Sequence, residues 1–152
     1  MAKLYNRDFQ SFNFHGIKLF LKYILKPKLF IPNQIVPSIA EIDFITLKNS
    51  GFKAIVFDKD NTLTAPYSSK LFSPFAETMR TASMLFKCLI VSNSLVNKHS
   101  CLQVEKSIGL PVFRQIGKKP FGGEELSKYL GCESKEIIIV GDRVITDILY
   151  GI

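Results

Sequence analysis

The sequence predicts an α/β fold, a doubly wound parallel sheet with helices on both faces, and three observations carry that prediction. Short apolar, β-branched runs alternate along the chain with segments of helical pattern. The runs are continuously apolar, as in strands buried on both faces, where a half-exposed strand would alternate. Each run ends directly in polar residues that can do chemistry, which is where a doubly wound sheet gathers its ligands.

The body begins near Phe52. Lys53-Ala54-Ile55-Val56-Phe57 reads as the first buried strand. Residues 73–87 read as a helix, with Ser73 as its N-cap and Pro74 in the first helical position. Cys88-Leu89-Ile90-Val91 is the second strand. A helix from about 97 to 108 stops at Gly109. Pro111-Val112-Phe113-Arg114 is the third strand, residues 123–130 are a helix closed by Gly131, and Glu136-Ile137-Ile138-Ile139-Val140 is the fourth strand. Thr146 is placed to cap a final helix, with Asp147 in its first turn facing the positive end of the dipole.

Before the body lies a different composition. The first 30 residues hold six basic groups and one acid, Asp8, whereas the whole 152-residue chain has a net charge of +7. Lys18, Lys22 and Lys26 recur every four residues and share one helical face, with Ile17, Phe20, Leu21, Ile24 and Leu25 on the other. A basic amphipathic helix of this kind suits an anionic membrane surface. It suits equally a surface helix docked on the body. Pro27, Pro32 and Pro37 mark an extended connector. The expected division is therefore a leader over 1–51 and a core over 52–152.

Composition excludes several classes. Hydrophobic residues make up 47% and charged residues 22%, which is globular. No stretch reaches the roughly 18 uncharged apolar residues of a membrane span. Three scattered cysteines, Cys88, Cys101 and Cys132, fit neither a disulfide framework nor a zinc site. His15 and His99 lie off the strand ends and read as structural or surface residues.

The strand ends carry the chemistry. After the first strand comes Asp58-Lys59-Asp60-Asn61-Thr62, and after the second Ser92-Asn93-Ser94. Lys118-Lys119-Pro120 follows the third, and Gly141-Asp142 with Asp147 the fourth. A carboxylate such as Asp58 can attack phosphorus. That approach of two anions calls for a divalent cation, for which Asp58 and Asp142 offer hard oxygen ligands suited to magnesium. Asp60 is placed to protonate a leaving group and then to activate water. Ser92, Asn93 and Lys119 can hold phosphoryl oxygens. Each motif alone has a bland reading as a turn, a cap or a solvated loop. Four in this order, each after its own strand, point to a phosphohydrolase.

The four motifs resemble those of the haloacid dehalogenase superfamily of phosphohydrolases over residues 53–147. The resemblance implies a Rossmann-like core. It makes Asp58 the nucleophile, Asp60 the general acid/base and Lys119 the stabilising lysine. Ser92 would be the phosphate-binding hydroxyl, with Asn93 and Thr62 beside it on the substrate. Asp142 would be the metal-binding acid, joined by the main-chain carbonyl of Asp60, while Asp147 would support a magnesium ion through water. The strings KAIVFDKDNTLTAP, LIVSNS, GLPVFRQIGKKP and IIIVGDRVITDI further resemble the mitochondrial phosphatidylglycerophosphate phosphatases. That branch implies a phospholipid substrate, a peripheral place on an anionic membrane, and the matrix side of the mitochondrial inner membrane. A plastid or bacterial cytoplasmic membrane is the alternative.

Spacing bears on the substrate independently. Leu63 and Cys88 are separated by 24 residues, and Ser94 and Lys118 by 23, too few for a cap domain. An open, capless site suits a phosphate presented by something large. Alternatives are a capless phosphatase for another large or soluble phosphomonoester, and a catalytically weak binder of anionic membranes. Nucleic acid is the least favoured partner. Since the family normally continues past its last motif with a helix and a strand, the fold is expected to be incomplete at its C-terminus.

Overall fold

A computed structural model describes residues 27–95, 97–114 and 118–151. Its centre is a parallel sheet of three strands: β1 (Ala54–Phe57), β2 (Lys87–Ile90) and β3 (Ile137–Val140), in the order β2-β1-β3. Ala54 lies opposite Lys87 and Ile137, and Phe57 opposite Ile90 and Val140. β1 therefore has a partner on each side and must be apolar on both faces. All four of its residues are buried. Burying a side chain such as Phe57 or Ile55 contributes about 1.5–3 kcal/mol.

Helices cover both faces. On one side Ile55, Phe57, Cys88 and Ile90 pack with Phe44 of α1 (Phe44–Asn49), Met79 and Ala82 of α2 (Ala76–Leu85), and Cys101, Val104 and Ile108 of α3 (Lys98–Ile108). On the other, Ala54, Val56, Leu89 and Val91 pack with Leu126 and Leu130 of α4 (Gly123–Leu130) and with Tyr150. This is the doubly wound α/β arrangement the sequence predicts. From Asp58 to Phe86 the chain holds a tight loop, one 3-10 turn and α2, so no cap domain is inserted there. All three cysteines are buried and free, and burial pushes the Cys88 thiol up to about 11. His99 is exposed.

The helix ends follow their sequence signals closely. Asn97 Oδ1 accepts from Ser100 N at 2.8 Å to cap α3, and Gly109 closes it at φ 79°. Gly131, at φ 63°, closes α4. A β-carbon is disfavoured in that left-handed region, which is why glycine stands at both ends.

Four expectations need correction. The third strand over 111–114 is reduced to one parallel bridge, Ile90 to Val112, because Pro111 has no N–H and contributes only its carbonyl, to Ile90 N at 2.9 Å. The helix expected over 73–87 opens as a 3-10 turn, Ser73–Phe75, and Ser73 makes no side-chain cap. It ends at Leu85, because Lys87 already belongs to β2: its N–H donates to Lys53 O at 3.1 Å and its ammonium to Leu130 O at 2.8 Å. Glu136 lies outside the fourth strand, in a 3-10 turn with a capping box between Glu133 and Glu136. Thr146 does not cap a regular helix. It lies inside a single π-turn, Val144–Ile148, that begins after Arg143.

α1 lies between the Pro-rich connector and the first strand, where the sequence reading places no element. Asp43 caps it, accepting from Thr46 N at 2.9 Å and from the Thr46 hydroxyl at 2.7 Å. Ile39 and Phe44 carry this segment into the core. The amphipathic helix expected over 14–26 lies outside the described residues. No helix among the described residues is long and apolar enough to cross a membrane.

Candidate active site

The carboxyl end of β1 runs straight into Asp58, whose N–H donates to Val140 O at 2.8 Å and so continues the ladder with β3. The chain then folds back sharply. The Lys59 carbonyl accepts from the N–H groups of Leu63 and Thr64, each at 3.0 Å, and more weakly from Thr62 at 3.4 Å. Asn61 takes the left-handed conformation (φ 60°) that asparagine tolerates. This turn holds Asp58 and Asp60 beyond the sheet edge.

Lys119 is the hub. It is 3% exposed, and its ammonium donates to Asp58 Oδ1 at 2.5 Å and to Asp147 Oδ1. Acids from two different loops therefore meet on a cation carried by a third. The lysine is placed by its own main chain: its N–H donates to Asn93 Oδ1 at 2.7 Å, and its carbonyl accepts from Asn93 Nδ2 at 3.3 Å. Asn93, expected on the substrate, lends its amide to this clasp on the lysine.

Asp147 is 1% exposed, although it sits in an irregular turn. Its Oδ2 accepts from Arg143 N at 3.1 Å and from the Thr146 hydroxyl at 3.4 Å. Asp142 is more exposed and is held by Asn61, whose Nδ2 donates to Asp142 Oδ2 at 3.2 Å. One carboxylate oxygen from each of Asp58, Asp142 and Asp147 lies within 4.8 Å of the others. The buried Lys119 ammonium bonds two of these three acids, and Arg143 Nε lies 3.9 Å from Oδ1 of the third, Asp142. The donors are all hard oxygens, and the residues present fit a small divalent cation.

Asp60 stands beside this cluster in its own network. Its Oδ1 accepts from the Lys59 ammonium and from Tyr67 N at 2.9 Å, and its Oδ2 from the Ser94 hydroxyl at 2.6 Å. Ser94 in turn meets Ser92, oxygen to oxygen at 2.9 Å. The two aspartates consequently differ. Burial raises Asp58 above the usual carboxylate range, against the pull of Lys119 and with the Asp147 charge adding to the rise. Burial acts on Asp60 as well, but the bonds from Lys59, Ser94 and Tyr67 together outweigh it and hold Asp60 below that range.

The structure thus brings Asp58, Lys119, Asp142 and Asp147 into one cluster and joins Asp60 to Ser92 through Ser94. Thr62 is buried in the turn behind Asp58. Four contributors escaped the sequence reading: Lys59, Asn61, Ser94 and Gly141. Two had a visible signal. A lysine between two aspartates at the mouth of a buried strand is a charge with an obvious partner, and Ser92 and Ser94 stand two apart in a polar turn directly after a strand. Gly141 gave none, because its role depends on the approach of Asp147.

The chain matches known proteins over nearly all its length. It is 39% identical to the chloroplastic/mitochondrial phosphatidylglycerophosphate phosphatase 1 of Arabidopsis thaliana, over 93% of this chain and 44% of that protein. It is 34% identical to the chloroplastic phosphatidylglycerophosphate phosphatase 1 of Chlamydomonas reinhardtii, over 93% of this chain and 56% of that protein. A mitochondrial phosphatidylglycerophosphatase of Saccharomyces cerevisiae is 31% identical over 90% of this chain and 80% of its own length. The chain thus spans about half the length of the two plant and algal relatives. No solved structure matches it. The family described as mitochondrial PGP phosphatase matches residues 14–152, motifs and carboxylate cluster included, and the chain belongs to that family.

Proposed function

We propose that this chain is a magnesium-dependent phosphatidylglycerophosphatase, acting through an aspartyl-phosphate on Asp58. The observation that carries the reading is the Lys119 ammonium bound to both Asp58 and Asp147, with Asp142 alongside, at the carboxyl ends of the strands. Asp58 attacks the phosphorus, and the bond from phosphorus to the lipid oxygen breaks. The departing oxygen takes a proton from Asp60, which carries that proton once the phosphate has entered; without the phosphate, Lys59, Ser94 and Tyr67 hold its carboxyl below the usual range. Asp60, now a carboxylate, removes a proton from water as that water attacks the aspartyl-phosphate. Inorganic phosphate leaves, and the Asp58 carboxylate is restored. Lys119 and Ser92 stabilise the phosphoryl oxygens as their charge grows.

Asp58, Asp142 and the Asp60 carbonyl would hold the magnesium ion. Both oxygens of Asp147 already accept protein donors, so Asp147 would act on the metal through water. The ion supplies positive charge against the incoming phosphate.

Two features favour a lipid phosphate over a small metabolite. No cap domain interrupts the chain between Asp58 and Phe86, so the site is open on the side of the loops. The first 30 residues are strongly basic, which suits an anionic leaflet. We place the protein peripherally on an organelle membrane, at the matrix side of the mitochondrial inner membrane; a plastid membrane is the alternative, since relatives bear both names. Phosphate release from phosphatidylglycerophosphate vesicles, set beside release from sugar phosphates, tests the substrate. Faster release from the vesicles is expected. Equal or faster turnover of the soluble esters would assign the site to a general phosphomonoesterase.

A further inference from the structure

The chemistry above leaves Lys59 without a role. It stands between the two aspartates of the first motif, and only 2% of it is exposed. Lysine is almost never fully buried without a charge partner. Its ammonium donates to Asp60 Oδ1 and to the Ser68 carbonyl, the latter at 2.9 Å. Tyr67 N also donates to Asp60 Oδ1, at 2.9 Å.

The two oxygens of Asp60 are therefore unequal. Oδ1 is held by a buried ammonium and a main-chain N–H. Oδ2 accepts from the hydroxyl of Ser94, which is exposed and which also meets Ser92. A hydroxyl on an exposed serine exchanges readily with another oxygen, whereas a buried ammonium does not. Because a carboxyl group turns as a unit, fixing one oxygen fixes the direction of the other.

We propose that Lys59 is a positioning residue: it locks Oδ1 of Asp60, so that Oδ2 is presented to the leaving-group oxygen in the place the Ser94 hydroxyl occupies. This rests on the reading of Asp60 as the proton donor. When the phosphorus–oxygen ester bond breaks, its electron pair stays on the leaving oxygen, and the proton on Asp60 Oδ2 passes to that oxygen. Without Lys59 the carboxyl group swings, and the proton is delivered late or from the wrong direction.

Leaving-group chemistry separates this role from a merely structural one. An alkoxide needs the proton, whereas nitrophenolate departs without it. The full chain is assayed with magnesium on phosphatidylglycerophosphate vesicles and on 4-nitrophenyl phosphate. Lys59→Met should lower kcat on the lipid by about 30-fold or more, within the span of general acid catalysis, and on the aryl ester by less than about threefold. KM should stay nearly constant for both. Lys59→Gln, which keeps a neutral donor, should show the same selective loss at smaller size, and it replaces the Met variant if that variant does not fold. Equal losses on the two esters, or none on either, overturn the positioning role while leaving the phosphatase reading intact. Wild-type protein that hydrolyses neither ester overturns both.

Discussion

The Asp147 carboxylate lies directly over Gly141: a β-carbon added to the glycine would overlap Asp147 Cγ, Cβ and Oδ2. No real side chain tolerates that overlap. The backbone of Gly141 is what lets Asp147 come close enough to reach Lys119. Gly141→Ala should push Asp147 aside, break its bond to the lysine and lower kcat by up to about 100-fold, the loss that a displacement of about 1 Å at a reacting site can cause. Overpacking of this kind costs about 1–3 kcal/mol of stability. Phosphate release and a denaturant midpoint check both. A fully active Ala variant would show that the close approach is dispensable.

Lys119 bonds two buried acids at once, so its removal should be severe. Lys119→Met leaves Asp58 and Asp147 buried without their cation, and breaking such a pair typically costs about 3–5 kcal/mol. The same change makes the carboxylate cluster more negative. Magnesium should therefore bind the folded variant more tightly while turnover collapses. Calorimetric titration with magnesium, beside a denaturant curve, reads the two opposite effects.

Asn93 holds the main chain of that lysine by both ends of its amide, at 2.7 and 3.3 Å. Asn93→Ala should lower kcat more than it raises KM, because the lysine shifts while the phosphate site keeps its other donors. Asn93→Asp retains the acceptor for Lys119 N and should fall between the two. A rise in KM at unchanged kcat would instead make Asn93 a direct ligand of the substrate.

Two surface devices make stability depend on pH. The Thr46 bonds hold Asp43, the cap of α1, below its usual value, and the Lys53 bond holds Glu136 below its own. A depressed carboxylate contributes stability above its unfolded value and loses it as pH falls through the folded one. Lys53 is raised by Glu136, so its contribution is lost only as pH climbs through that raised value. Asp43→Ala should lower the thermal midpoint at neutral pH, and the difference from wild type should shrink below the ordinary carboxylate range. A difference that persists in acid would show that the cap's charge is irrelevant.

The legible parts of this protein are those with strong local physics. β1 and β2 are continuous apolar runs, and α3 and α4 end on glycines, so their limits followed within a residue or so from hydrophobicity and caps. Asp58, Lys119, Asp142 and Asp147 were legible because each follows a strand run and a parallel sheet collects such residues at one edge. What escaped depends on tertiary contact. α1 has six residues, too few for a helical period to emerge, and exists because Phe44 enters the core. The π-turn over Val144–Ile148 brings Asp147 to Lys119, a contact that no local pattern announces. The clasp of the Asn93 amide on the backbone of Lys119, 26 positions away, has no local signal either.

The most direct test of the whole account is phosphate release from phosphatidylglycerophosphate vesicles by the wild-type chain and by Asp58→Asn, each with and without magnesium. The account predicts release by the wild type that requires magnesium, and none above background from the Asn variant, which still folds and still binds the vesicles. Release by Asp58→Asn at the wild-type rate, or wild-type release that is indifferent to magnesium, would contradict it.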